Sequence, residues 1–291
     1  LKRPFMKNQW MIGKVKITRI IESETAGPMF LLPDATKENI LKMDWLRPYF
    51  ADEKGNCRIS IHALVIETPE KKIIVDTCLG NDKERAFKHW SNLQTSFLED
   101  LYLAGYPAES IDAVLCTHLH TDHVGWNTQL VDGIWQPTFK NAEYLFGKEE
   151  WSYTGNQKDK PLYNEFISDS IQPIIDANLC RFVDTNEIIC EEVSLQSTPG
   201  HTPGHVSVRI HSEGESAVIT GDFLHHPCQM EEPYWECTAD WDTKMAQKTR
   251  MEALEAYAEE GLLVFGTHFA SPSVGIVIRK GKHFQFEAHL D

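Results

Sequence analysis

The feature that most constrains this chain is a run of six residues, His118-Leu119-His120-Thr121-Asp122-His123, placed directly behind an apolar stretch. That stretch, Ile111-Asp112-Ala113-Val114-Leu115-Cys116, reads as a short buried strand, so the histidines emerge at a strand end, where α/β folds place their sites. His118 and His120, two residues apart, can point the same way on an extended or turning backbone and grip one ion. Asp122 and His123 then face a second. Imidazole with carboxylate and without thiolate suits zinc or a similar borderline divalent ion, and two such ions side by side carry out hydrolysis. A His-rich tract can also bind metal adventitiously, as expression tags do, but a tag does not sit behind a buried strand.

With Thr117 before it and Gly125 after it, the pattern His-x-His-x-Asp-His resembles the signature of the metallo-β-lactamase superfamily. The resemblance implies an α/β fold, an αββα sandwich with the metal site at one edge of its two sheets. It also implies a third histidine for the first metal, an acidic residue bridging both, and a last histidine for the second, each ending its own strand. Residues 195–199 lead to His201 on a Gly/Pro-rich turn, Ala217 to Thr220 run into Gly221-Asp222, and Leu262 to Thr267 end at His268. On this resemblance His118, His120 and His201 hold one ion, Asp122, His123 and His268 hold the other, and Asp222 bridges the pair. Two divalent ions per chain are implied, with zinc expected. The match runs from about Asp76 to His268, and Asp76 is carried over as a carboxylate that orients the ligand histidines, because a buried imidazole ligand needs an acceptor for its other N–H. His205 lies four residues from His201, and the residues alone do not choose between them. The resemblance favours His201 and leaves His205 to pack or hydrogen-bond behind the site. His62, His89, His211, His283 and His289 read as structural or surface residues.

A chain of 291 residues with 42% hydrophobic content can bury a sizeable core and use it as one domain, residues 1–291, with no visible linker. Its 28 Lys and Arg against 43 Asp and Glu give a formal charge of −15, which argues against nucleic acid and against anionic membranes as partners. Seven cysteines, Cys57, Cys78, Cys116, Cys180, Cys190, Cys228 and Cys237, form no Cys-x-x-Cys pair and read as free thiols of a reducing compartment. As a metal ligand, Cys228 is the hardest of them to exclude, being six residues beyond Asp222. No apolar run reaches transmembrane length and no apolar secretory core follows the start, so the expected location is cytoplasmic. Leu1-Lys2-Arg3-Pro4-Phe5 precedes Met6 and reads as added rather than native sequence.

Lys14 to Ile21 alternates as a strand, and Ser60 to Glu67 with Lys72 to Val75 reads as a hairpin around Pro69-Glu70. Thr95 to Ala104 reads as an amphipathic helix with Phe97, Leu98, Leu101 and Leu103 toward the sheet. Thr243 to Glu260 reads as a second, with Met251, Leu254, Tyr257 and Ala258 on one face and Gly261 as its stop. No short-period repeat is visible, although the fold implied by the resemblance is built from two similar halves.

Subfamilies differ in ways this chain can be tested against. The commonest zinc β-lactamases carry Arg where this chain has His123 and Cys where it has Asp222, and flavodiiron proteins have an acidic residue in place of the second histidine. Glyoxalase II and phosphodiesterases share every ligand named above. Thr117 to Asn127, Gly221 to Pro227 with Gln229, and Gly266 to Pro272 are similar to the branch containing methyl parathion hydrolase and related lactonases, as is the extension over residues 22–56. In N-acyl homoserine lactone lactonases a tyrosine stands three residues beyond the bridging aspartate. Here that position is His225, which argues against acyl homoserine lactones as the preferred substrate.

The expected activity is dinuclear hydrolysis of lactones or other small carboxylic esters, with organophosphate triesters as side substrates. Two ions about 3.5–4 Å apart share a water and lower its pKa from about 15.7 toward about 7. Asp122 would orient that water, and His225 either donates to the developing oxyanion or leaving group or packs at the rim. Phe30 and Leu32, in Met29-Phe30-Leu31-Leu32, are expected to wall the site or to form a homodimer contact, with core packing as the alternative. Trp126 is the other candidate substrate contact; for Trp151 core packing is favoured. A phosphodiesterase, a thioester hydrolase like glyoxalase II, and a metal-bound binding or regulatory module without turnover remain as alternatives.

Overall fold

In the computed structural model, residues 8–289 are described, and the Leu1 to Phe5 stretch lies outside them. The chain forms two compact units. One comprises residues 9–22 and 61–187 and carries the His118 motif; the other comprises residues 8, 23–60 and 188–289 and carries Asp222. They are called the His118 unit and the Asp222 unit below.

The strands are β1 (Gln9–Ile12), β2 (Val15–Gly27), β3 (Cys57–Glu67), β4 (Lys72–Val75), β5 (Ala113–Leu115), β6 (Thr128–Val131), β7 (Ile134–Pro137), β8 (Glu143–Gly147), β9 (Cys180–Val183), β10 (Val193–Ser197), β11 (Val206–Ser212), β12 (Glu215–Ile219), β13 (Leu263–Phe265), β14 (Val274–Lys280) and β15 (His283–Ala288). The His118 unit is built on a seven-stranded sheet in the order β1-β2-β3-β4-β5-β8-β9. The expected hairpin is present, with Leu64 opposite Val75 and Glu67 opposite Lys72. From β4 onward the strands β4, β5, β8 and β9 pair in parallel, and their central residues, Ile73 to Val75, Ala113 to Leu115 and Tyr144 to Phe146, are buried. That is why these runs read as continuously apolar rather than alternating.

The expected helix forms over Phe97–Leu103, with Phe97 and Leu101 buried one turn apart. Leu103 is exposed instead of core-facing, because two residues beyond Leu101 is roughly the opposite side of a 3.6-residue helix. Phe97, Leu101, Tyr106, Phe139, Tyr144 and Phe146 belong to the unit's core, against which Trp151 packs.

The Asp222 unit holds a six-stranded sheet, β10-β11-β12-β13-β14-β15. β11 is antiparallel to both β10 and β12, and β12 is parallel to β13. Strands β10, β12 and β13 therefore run in one direction, and their C-terminal ends share one edge of the sheet. The helix Thr243–Glu260 starts at Asp242, whose side chain accepts from the Met245 N–H, and ends at Gly261 with φ 64°. Its buried face is Ala246, Arg250, Ala253, Leu254 and Tyr257, which includes the expected Leu254 and Tyr257, while the expected Met251 and Ala258 pack partly buried beside it.

The His118 unit also contains a buried ionic cluster. Asp169 takes two hydrogen bonds from Arg85, at 2.6 and 3.0 Å, and lies 3.5 Å from the Lys83 Nζ, which also donates to Thr128 at 2.8 Å and sits 3.7 Å above the Trp135 ring. Burial lowers the Lys83 pKa from 10.5 to about 8, against the pull of Asp169. Between those two values the unfolded chain binds a proton at Lys83 that the folded chain does not, so stability rises with pH across that window. The predicted slope from this residue approaches about 1.4 kcal/mol per pH unit. Urea unfolding of the protein and of Lys83→Met from pH 7.5 to 10.5 checks this, and parallel curves for the two proteins would contradict it.

Candidate metal centre

The His118 unit supplies four of the expected ligands from adjacent parallel strands. Asp76 follows the last residue of β4, and Thr117-His118 lie two and three residues beyond β5, so a carboxylate and the first histidine leave neighbouring strand ends side by side. Asp76 is buried and has φ 56°, a left-handed conformation that turns its side chain back along the motif. One oxygen accepts the Thr117 backbone N–H at 2.8 Å, the Thr117 hydroxyl lies 2.9 Å from the other, and His123 Nδ1 lies 2.9 Å from that same oxygen. An ionised carboxylate only accepts, so His123 carries its proton on Nδ1 and presents the Nε2 lone pair. The Thr117 hydroxyl, donating to Asp76, is left to accept from His118 Nδ1 at 3.2 Å, which fixes the same tautomer for His118.

His118 Nε2 and His120 Nδ1 then lie 3.0 Å apart. Two nitrogens on one tetrahedral zinc stand roughly 3.3 Å apart, so this pair is spaced for a shared ion. A one-turn helix, Thr121–Val124, brings Asp122 and His123 to the same place, with Asp122 Oδ1 3.7 Å from His123 Nε2.

The Asp222 unit supplies the remaining ligands from the shared edge of its sheet. Asp222 follows β12, His201 follows β10 and His268 follows β13. His268 Nε2 is 3.2 Å from each oxygen of Asp222, and His201 Nε2 is 3.7 Å from Oδ2. His201 donates Nδ1–H to Asp240 at 3.0 Å and His268 donates Nδ1–H to the Ser60 carbonyl at 3.1 Å, so both present Nε2 lone pairs toward a carboxylate that cannot donate. Nitrogen lone pairs facing carboxylate oxygens, all buried, are a donor set in need of a cation. Divalent ions fit it.

His205 is settled by the same logic. Its Nε2 accepts the Asp222 backbone N–H at 2.7 Å, and its Nδ1–H donates to Thr198. It holds the bridging aspartate from behind and has no lone pair left for a metal. Gly221, φ 63°, makes this possible, since a Cβ there would lie 2.5 Å from His205 Nε2.

Three partners of this cluster carried no signal in the pattern of apolar runs. Asp240 lies in an irregular stretch whose backbone is tied to the His201 turn by Trp241 N–H to His201 carbonyl at 2.9 Å and Asp242 N–H to Gly200 carbonyl at 3.0 Å. Burial pushes the Asp240 carboxyl up, and the nearby His225 and Arg250 pull it back. Arg250 is fully buried, donating to the Phe223, Pro233 and Trp235 carbonyls, with a guanidinium nitrogen 3.8 Å from Asp240. A charged residue between Ala246 and Leu254 on the apolar stripe of a helix was the available clue. Cys237 is the third: both it and Cys228, the cysteine singled out from the sequence, are buried in the unit's core, but it is the Cys237 sulfur that lies 3.8 Å from His225 Nε2.

His225 is buried, with Nε2 3.4 Å from Asp222 Oδ2, so it belongs to the cluster rather than to a rim. His226 instead bonds the Phe50 carbonyl, and burial lowers its pKa to about 4. Of the expected substrate contacts, Leu32 is buried in the core of the Asp222 unit, which is the core-packing alternative. Trp126 is likewise a core residue of the His118 unit, stacked on Phe97 and donating to Glu22 at 2.6 Å. Phe30 exposes 83% of its surface. All seven cysteines are free, as expected.

Asp76→Asn keeps the shape of the carboxylate but removes the charge that fixes the His123 tautomer. The expected result is a 10- to 100-fold loss of metal affinity in chelator competition, with the fold retained by circular dichroism. Unchanged affinity would show that Asp76 does not orient the ligand.

Residues 58–271 match the family model of the metallo-beta-lactamase superfamily. An N-acyl homoserine lactonase of Bacillus cereus is 24% identical over 225 residues, covering 72% of this chain and 81% of its own length. Among solved structures, hydrolase AbOPH in the beta lactamase superfamily superposes with a TM-score of 0.81 at 27% identity over 99% of both chains. AidC, a dizinc quorum-quenching lactonase solved with the product N-hexanoyl-L-homoserine, superposes with a TM-score of 0.78 at 23% identity, covering 97% of this chain and 96% of its own.

Proposed function

Because the chain belongs to the metallo-β-lactamase superfamily, we propose that it is a metal-dependent hydrolase of lactones and related small carboxylic esters. The observation that carries the reading is Asp222, a buried carboxylate approached by the Nε2 atoms of His201 and His268 at 3.7 and 3.2 Å, each with its Nδ1–H donated elsewhere and its Nε2 lone pair offered to a cation. We assign His118, His120 and His201 to one ion, Asp122, His123 and His268 to the other, and Asp222 to both, with zinc as the expected metal. Bound ions supply a water ionised near neutral pH and a Lewis acid for the carbonyl oxygen.

The chain's own residues do the rest. Asp122 would accept a hydrogen bond from a metal-bound water and so set its direction. Asp76, Asp240 and the Ser60 carbonyl hold protons on the Nδ1 atoms of His123, His201 and His268, so those imidazoles are turned with Nε2 toward the cluster. The relatives named as N-acyl homoserine lactonases support a lactone as substrate. His225 in place of their tyrosine favours a lactone other than an acyl homoserine lactone. Phe30 offers an exposed apolar ring for the substrate's non-reacting part or for a second subunit of a homodimer. We treat the chain as one catalytic domain, since the family match runs through residues of both units. The free cysteines favour a reducing, cytoplasmic setting. Among the described residues, no helix is long and apolar enough to cross a membrane.

Lactones, aryl esters, thioesters, phosphodiesters and phosphotriesters assayed after chelation and after metal return test the reading. The expected outcome is lactone and ester turnover that disappears on chelation, returns with zinc, and falls at least about 100-fold in Asp222→Ala, more than for loss of an outer partner. Turnover confined to phosphodiesters, or activity untouched by Asp222→Ala, would overturn it.

A further inference from the structure

The dinuclear reading uses only nitrogen and oxygen donors, and it leaves a buried sulfur unexplained. Within the Asp222 unit, His201, His225 and Cys237 each offer a ligand atom, all mutually within 4.8 Å and all buried. Cys237 Sγ is 3.8 Å from His225 Nε2, His225 Nε2 is 3.4 Å from Asp222 Oδ2, and His201 Nε2 is 3.7 Å from that same oxygen. A sulfur and a nitrogen on one tetrahedral zinc stand about 3.6 Å apart, and a nitrogen and an oxygen about 3.4 Å. The observed separations match both. His225 is fully enclosed, with its Nε2 between the Cys237 sulfur and the Asp222 carboxylate.

We infer that Cys237, His225 and His201 form a second, thiolate-containing metal position, bordered by Asp222, that takes a soft divalent cation. Sulfur shifts the preference of this set toward thiophilic ions such as cadmium, cobalt and zinc, away from hard ions such as magnesium. Occupancy releases the thiol proton of Cys237 to solvent as the metal–sulfur bond forms. Because His201 has a finite lone pair, an ion held by Cys237 competes for a ligand of the hydrolytic pair. The position goes beyond the proposed hydrolase activity and does not rest on it, since the three donors lie in one unit and are defined by their own distances.

The loop that carries Cys237 is held in place for this. Thr238 N–H bonds the Leu31 carbonyl at 2.8 Å, and Asp240 N–H bonds the Cys237 carbonyl at 3.1 Å, while the two residues that follow are tied to the Gly200-His201 turn. The sulfur is therefore placed before any ion arrives.

Metal-depleted protein titrated with cobalt(II) and, separately, cadmium(II) tests the inference through thiolate-to-metal charge-transfer absorption, independently of hydrolysis. The expected result is a band corresponding to one thiolate per chain, abolished in Cys237→Ser and Cys237→Ala and retained in Cys228→Ser. His225→Gln should shift the titration midpoint at least tenfold toward higher metal. Circular dichroism establishes that each variant is folded, and the two Cys237 substitutions guard against one of them failing. A wild-type protein without the band, or a band that survives in Cys237→Ser, overturns the proposal and leaves the Cys237–His225 contact as a thiol hydrogen bond. A protein that shows the band but hydrolyses no ester would sink the proposed function and leave this position standing.

Discussion

Everything at the candidate centre depends on which ring nitrogen of each histidine holds the proton. A neutral imidazole is one donor and one acceptor, and a ligand must offer the acceptor to the cation. In the His118 unit, Asp76 sets this for His123 directly and for His118 through the Thr117 hydroxyl. In the Asp222 unit, Asp240 and a backbone carbonyl set it for His201 and His268. His205 shows the converse: the same type of side chain, four residues from a ligand, has its acceptor nitrogen taken by a backbone N–H and becomes a support. Identity of the residue does not decide its role; the partner of its other nitrogen does.

Much of the architecture was legible because the ligands sit at the ends of apolar runs. Buried parallel strands are uniformly apolar, and the residue that leaves the strand end is polar only where chemistry needs it, so His118, Asp222 and His268 stand out against what precedes them. The helix Thr243–Glu260 was legible from its length, its glycine stop and the Leu254–Tyr257 part of its buried face, but not from Ala246, Arg250 and Ala253, which carry little periodic hydrophobic signal. Asp240 and Cys237 were not legible at all. They lie in an irregular segment, and only the backbone hydrogen bonds that tie this segment to the Gly200-His201 turn reveal that it belongs to the cluster. Trp126 and Leu32 illustrate a different failure, since large apolar residues near a motif are as easily core as contact, and sequence spacing does not separate the two.

The donor chemistry also limits what the protein can be. Nitrogen and oxygen ligands around a carboxylate favour a redox-silent divalent ion and hydrolysis, in agreement with the family and with the lactonase relatives. A net charge of −15 makes the protein a poor partner for polyanions, while the cationic demand of the cluster is local and buried. The charge of the surface and the charge of the centre are separate properties, and only the second bears on catalysis.

The long helix Thr243–Glu260 is tied to two of the ligands at once. Arg250 on its buried face lies 3.8 Å from the carboxylate that orients His201, and its end at Gly261 leads within two residues into β13, which delivers His268. Fraying of this helix would loosen both ligands together, and bound ions would in turn resist the fraying. If the proposed ions bind, the cluster and the helix would share one local opening equilibrium, and amide exchange along Arg250 to Tyr257 would gauge occupancy from residues remote from the cation.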